Sequence, residues 1–160
     1  MATFGHYLQK IINHGRDEAQ QDGSAAVEAQ HLLLAIAIEQ EATTHQVLTS
    51  AGLDHQAIRD ALDREFEHSL GAVGASATAF DLPMPTSAPE RPQHLGASAR
   101  LAIERGFTSA ARKKDLQPVN LLIGILQAEV GTVPRALALA GVERAGLAER
   151  ARQALAGTGE

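Results

Sequence analysis

The sequence contains no cysteine, which excludes disulfide scaffolds, cysteine-ligated zinc and thiol nucleophiles at once. Aromatic residues make up only 3% of the chain against 44% hydrophobic residues in all. A core must therefore be assembled from Ala, Leu, Ile and Val, a composition suited to closely packed helices. The longest strictly apolar run, Leu32 to Ile38, is far shorter than the ~20 residues that cross a bilayer, and no basic-then-apolar leader opens the chain. A soluble, cytoplasmic protein without membrane contact is expected.

Chemistry-bearing motifs are equally scarce. No Gly-x-x-x-x-Gly-Lys-Ser/Thr occurs, so the backbone cradle and lysine that grip nucleotide phosphates are missing. No His-Glu-x-x-His occurs either. His14 and Glu18 lie one helical turn apart, as two metal ligands should, but no third ligand accompanies them. The serines fall at caps, linker positions and helix ends rather than beside an organised base. The chain is expected to be no enzyme, with no catalytic residue, cofactor or metal.

What is present is 160 residues, 16.9 kDa, with a net charge of −5. This is the size of one domain that buries about 70% of its unfolded surface. The charge is unevenly divided. Residues 1–70 carry 4 basic and 11 acidic side chains, residues 93–160 carry 9 and 6. This difference reads as drift between solvated faces rather than a dedicated polar partner.

Residues 71–92 hold four of the six prolines and open on a Gly/Ala-rich stretch, the signature of a linker. The segments on either side, 1–70 and 93–160, are copies of one another. At an offset of 89, Val27 to Ile36 falls on Leu116 to Ile125, and the match continues without a gap through Thr43/Thr132, Leu48/Leu137, Gly52/Gly141 and Asp54/Glu143. Upstream, an offset of 91 pairs Phe4/Leu95, Leu8/Ala99, Ile11/Ala102, Gly15/Gly106 and Ala19/Ala110.

Each copy reads as four helices. Phe4, Leu8, Ile11, Ile12, Gly15 and Ala19 follow the spacing of one buried helical face. The second helices, about Ala29 to Glu39 and Pro118 to Ala128, are apolar nearly all round and predict burial on most sides, with Pro118 in a first turn where its missing N–H costs nothing. Thr43 and Thr132 are the expected caps of short third helices ended by Gly52 and Gly141 in the left-handed conformation. Asp54 and Glu143 then open the fourth helices. The expected fold is an all-α bundle of eight helices with approximate twofold symmetry and no sheet.

A helix, a Gly turn and a helix around Thr49–Ile58 also match the outline of a DNA-reading motif, which makes a DNA-associated regulator the alternative function. Its second helix carries Asp60, Asp63, Glu65 and Glu67, a face that a phosphate backbone repels. The basic run Arg112-Lys113-Lys114 with Arg105 is the one plausible nucleic-acid patch, but Phe107 is its single nearby aromatic and it reads as a solvated helix end. Phe80 and Met84 are isolated apolar residues in the linker.

The double occurrence of His/Asn-Leu-Leu-Leu/Ile-Ala/Gly-Ile followed by Ala-Gly-Leu/Val, over residues 4–156, resembles the N-terminal domain of Clp-type protein unfoldases, here as a stand-alone or excised domain of actinobacterial character. The resemblance implies a non-catalytic protein- and peptide-binding module of regulated proteolysis. The implied partners are protein or peptide substrates, adaptors, a Clp unfoldase or a cyclic peptide ligand, met by a monomer. Where members of this family carry Glu and Thr for phosphoarginine, this sequence has Gln30 and Val119, Gly5 and Gly96. Phosphoarginine is accordingly expected to bind poorly. The expected docking face joins Phe4, Gly5, Tyr7 and Lys10 to Leu95 and Gly96, with Gln30 and Val119 at the adjoining helix starts. Tyr7 and Lys10 are expected to lie off the buried stripe of the first helix.

Overall fold

The computed structural model describes residues 3–72 and 90–158. Among these the chain forms α1 Phe4–Gln21, α2 Ala29–Glu39, α3 Ala42–Ser50 and α4 His55–Ala72, then α5 Ala97–Thr108, α6 Pro118–Leu126, α7 Thr132–Leu139 and α8 Arg144–Thr158. One 3-10 turn, Lys113–Asp115, precedes α6. The all-α fold class read from the sequence is the one that forms. Phe80 and Met84 lie outside the described residues.

The two apolar second helices form the centre. His31 through Ala37 on α2 and Val119 through Leu126 on α6 are buried without a break, which is how a helix without a polar face must be placed. Both begin with the same device. The backbone N–H of Glu28 donates to Nδ1 of His31 at 2.9 Å, and that of Gln117 donates to Oδ1 of Asn120 at 2.8 Å. The side chains of Glu28 and Gln117 answer by accepting from the third backbone N–H of each helix. Amides that a helix start leaves unpaired are thereby satisfied on both sides. The His/Asn position that heads each Leu run is thus a buried cap.

Other helix ends differ from expectation. Thr43 and Thr132 are not caps. The chain turns through Gln40 at φ 53°, which makes Glu41 the extended residue before α3; its carboxylate accepts from the amides of Thr43 and Thr44 at 3.1 and 3.0 Å. Gly131 precedes α7. The sixth helix ends at Leu126 rather than Ala128, because the Ala128 amide reaches back only three residues, to the Ile125 carbonyl. Gly52 and Gly141 do follow the third helices with φ of 71° and 76°.

Packing explains the symmetry. α1 lies on α2, and α5 on α6, with Gly15 and Gly106 at matched positions facing Leu32 of α2 and Asn120 of α6. Within each repeat the fourth helix also packs on the second, α4 on α2 and α8 on α6; other layers cross between repeats, with α4 on α7, α3 on α8, α2 on α5 and α1 on α6. Every cross-repeat pair occurs with its mirror image, so each repeat completes the core of the other. The crossover is fixed by backbone at Val27, whose N–H donates to the His94 carbonyl at 2.9 Å while its carbonyl accepts from the Gly96 N–H at 2.7 Å.

Ion pairs tie the first repeat's helices together. Arg59 on α4 bridges Glu18 and Asp22 at the end of α1, His55 meets Glu18 at 2.7 Å, and Asp22 accepts from Nε2 of His31 at 3.0 Å. Glu18 is almost wholly enclosed, and removing one member of such a group leaves a buried charge unpaired. His14 and Glu18, one turn apart on α1, therefore serve different partners, since His14 meets Glu39 at 3.2 Å.

Candidate functional site

Two surface grooves occupy equivalent positions. The first, about 360 Å³, is walled by Phe4, Tyr7 and Lys10 of α1, by Glu39 and Glu41 at the α2–α3 junction, and by Gln117 and Pro118 from the other repeat. The second, about 470 Å³, is walled by Ser98, Leu101 and Arg105 of α5, by Ala128 and Val130 at the α6–α7 junction, and by Glu28 and Ala29 from the first repeat. The repeat offsets superpose them: Tyr7 falls on Ser98, Lys10 on Leu101, Glu39 on Ala128, Glu41 on Val130, Gln117 on Glu28 and Pro118 on Ala29. Each groove is a first helix meeting the start of the other repeat's second helix.

This geometry separates residues that the sequence reading grouped together. Phe4, Tyr7 and Lys10 line the first, aromatic groove, and Gln30 lines the second, aliphatic one. Val119 is only 1% exposed and lies in the core, beyond reach of a partner, because an apolar β-branched side chain at that helix start turns inward. Leu95 and Gly96 belong to the crossover with Val27. Gly5 is exposed in the first turn of α1.

The expected approach of Phe4 to Leu95 does not occur. The Phe4 ring meets Phe107, at the opposite end of α5, edge-on with centroids 5.5 Å apart. Ahead of α5, Arg91 binds the Asn13 carbonyl at 2.7 Å and Asp17 at 3.0 Å, toward the end of α1. The twofold thus sets α1 and α5 head to tail, and the single expected face becomes two grooves.

Tyr7 also departs from expectation. It is 8% exposed and belongs to the buried stripe Tyr7–Ile11–Gly15, whereas Phe4 is half-buried at its edge. Spacings of four from Ile11 reach Tyr7 as directly as spacings of three reach Leu8, and the wider stripe includes both. Burial pushes the Tyr7 phenol far above the ordinary tyrosine range; the nearby Thr44 hydroxyl offsets part of this, and the Glu41 and Glu39 carboxylates add to it. Lys10 is exposed, with Nζ 3.4 Å from Glu39.

The aliphatic groove was missed as a site. Leu101 is 44% and Val130 85% exposed, both large apolar side chains left at the rim of a concave surface. The available signal was Leu101, an apolar residue off the Ala99–Ala102–Gly106 stripe of α5.

No group of three or more His, Asp or Glu able to hold a metal occurs among the described residues. No helix among them is long and apolar enough to cross a membrane. No curated protein matches the chain. The family model described as the Clp repeat (R) N-terminal domain matches residues 3–83, a span that contains all of α1 to α4. The chain belongs to the Clp repeat N-terminal domain family.

Proposed function

We propose that this Clp-type N-terminal module is a non-catalytic binding domain of regulated proteolysis that takes up protein or peptide segments through its two grooves. Substrates, adaptors of a Clp unfoldase and peptide-like ligands are the partner classes, met by a cytoplasmic monomer. The observation that carries this reading is the aliphatic groove, where Leu101 and Val130 stand exposed beside a 470 Å³ concavity. Exposed apolar side chains gathered at a concave surface favour association with an apolar segment. The aromatic groove adds the half-buried Phe4 and the neighbouring, exposed Phe107, side chains that supply contact area at low entropic cost.

Phosphoarginine is a poor ligand in this reading. Gln30 offers no carboxylate for its guanidinium, and Val119 is apolar and enclosed. The DNA-associated alternative finds little support, since Asp60, Asp63 and Glu67 are exposed along α4 and repel a phosphate backbone.

Titration of the isotopically labelled chain with an unfolded, protease-susceptible polypeptide tests the proposal by amide shifts. Movement is expected at Leu101 and Val130, at Phe4 and Lys10, or at both groups, and Leu101→Glu with Val130→Glu should weaken binding. Binding that survives groove substitutions and is lost on changing Asp60 or Asp63 would place the docking face on α4 and overturn the reading.

A further inference from the structure

The next inference rests on the reading of the grooves as peptide sites and gives the aliphatic one a ligand class. At the aromatic groove, Glu39 holds Lys10 of its wall and, beyond the wall, His14, at 3.4 and 3.2 Å. The matched positions in the second repeat are Leu101, Arg105 and Ala128. There a permanently charged guanidinium stands at the His14 position, while the carboxylate opposite has become a methyl group.

Arg105 is half-buried in the groove wall, and its side chain makes no hydrogen bond or ion pair among the described residues. The other charges of the lining are differently placed. The Glu28 carboxylate caps α2 and accepts from Ser98 Oγ at 2.8 Å. Arg135 is held by Glu65 at 2.9 Å. Glu129 is exposed on the loop before α7, where it opposes any surplus of negative charge on a ligand.

A guanidinium in this setting favours one planar carboxylate, which it grips with two parallel N–H donors. Leu101 lies one helical turn before Arg105 on the same face, so a ligand must offer an apolar group roughly 5–6 Å from its carboxylate. The last residue of a polypeptide meets that requirement through its own covalent bonds. An internal acidic side chain must order a second residue to supply the apolar part. We propose that the aliphatic groove captures the free C-terminus of a polypeptide ending in an aliphatic residue, with the α-carboxylate on Arg105 and the terminal side chain against Leu101 and Val130.

The test is fluorescence anisotropy of a short labelled peptide ending in Ala-Ala-Leu, added to the whole chain as the free acid and as the terminal amide. The acid should bind at least about tenfold more tightly. Arg105→Gln should remove that difference without changing the thermal midpoint, since the side chain holds nothing in the free protein. Leu101→Ala should weaken both forms. Equal binding of acid and amide, insensitivity to Arg105→Gln, or equally tight binding of an amidated peptide with an internal acidic residue beside Leu overturns the terminus assignment and leaves the peptide groove standing. Absence of binding by every form, with Leu101 and Val130 resonances unmoved, overturns both.

Discussion

Gly124 of α6 lies so close to α5 that a methyl group on it would stand 2.9 Å from the Gly106 Cα and would overlap the Ala102 carbonyl and the Gly106 amide. All three obstacles are backbone, so no rotamer change relieves them. The matched pair in the first repeat is Ala35 and Gly15, which accommodates a methyl group where the second repeat cannot. Gly124→Ala is therefore expected to cost about 3 kcal/mol or more through overpacking. Because α4 and α7, and α3 and α8, pack across the repeats, the loss should appear as one cooperative transition in urea. A midpoint equal to wild type, or two separate transitions, would contradict the packing described.

Tyr7 is the single tyrosine of a chain without tryptophan, so its ionisation can be followed directly near 295 nm. Burial raises the folded-state pKa above the unfolded value of about 10. The associated stability is fully present below that value and drains away as pH rises above it. Tyrosinate absorbance should appear only together with loss of helical circular dichroism. An ordinary titration near pH 10 in the folded protein would show the phenol to be open to water.

Asp22 gives the opposite limb. Burial alone would raise its pKa, but the hydrogen bond from His31 and the charge of Arg59 outweigh burial and hold the carboxyl below its ordinary value. Its stabilising contribution is present above the unfolded pKa of about 4 and is lost as pH falls through the lower folded value. Asp22→Asn should lower stability at neutral pH and flatten the acid limb of a urea-midpoint series. An unchanged acid limb would show that the pairing with Arg59 carries no net weight.

The helix pattern was readable because the apolar runs Leu32 to Ile38 and Leu121 to Leu126 have no polar face to leave outside, and the ungapped repeat placed the others. The assembly across the twofold was not readable. An offset states that Phe4 corresponds to Leu95 and does not state whether they touch, and the head-to-tail arrangement of α1 and α5 sends Phe4 to Phe107. The caps of α3 and α7 were misplaced because a long Glu41 side chain can reach the amides that a Thr was expected to serve. Arg105 reads from sequence as one more solvated charge beside Arg112-Lys113-Lys114, because an arginine near a helix end looks like any other until the loss of its counter-ion position at Ala128 is seen in space.

Gly5 and Gly96, matched in the repeat, should respond oppositely to substitution. A Cβ on Gly5 meets nothing nearer than Thr3 Oγ1 at 3.7 Å, so Gly5→Ala is expected to stabilise by up to about 1 kcal/mol through reduced backbone entropy. A Cβ on Gly96 collides with the Glu28 carboxylate, which is pinned by the cap of α2 and by Ser98. Gly96→Ala should cost about 1 kcal/mol or more as that cap is displaced. Thermal midpoints that move in the same direction for both would show the two sites to be equivalent after all.

His31 and Asn120 do the same work with different chemistry, and this supplies a substitution whose outcome the repeat itself dictates. Nδ1 of His31 accepts the Glu28 amide, so the proton of the neutral ring sits on Nε2 and is donated to Asp22. Asn120 reproduces the first bond with Oδ1 and sends its amide to Ser109 instead. His31→Ala should strand the Glu28 amide, remove a donor from Asp22 and leave a cavity beside α2, at a cost of about 2–4 kcal/mol. His31→Asn can keep the Glu28 bond while losing reach to Asp22, so it should recover roughly 1 kcal/mol of that loss. Denaturant midpoints give the order. If Asn proves no better than Ala at position 31, the buried bond to the Glu28 amide contributes little, and the His/Asn identity at the head of each Leu run reflects the contacts to Asp22 and Ser109 instead.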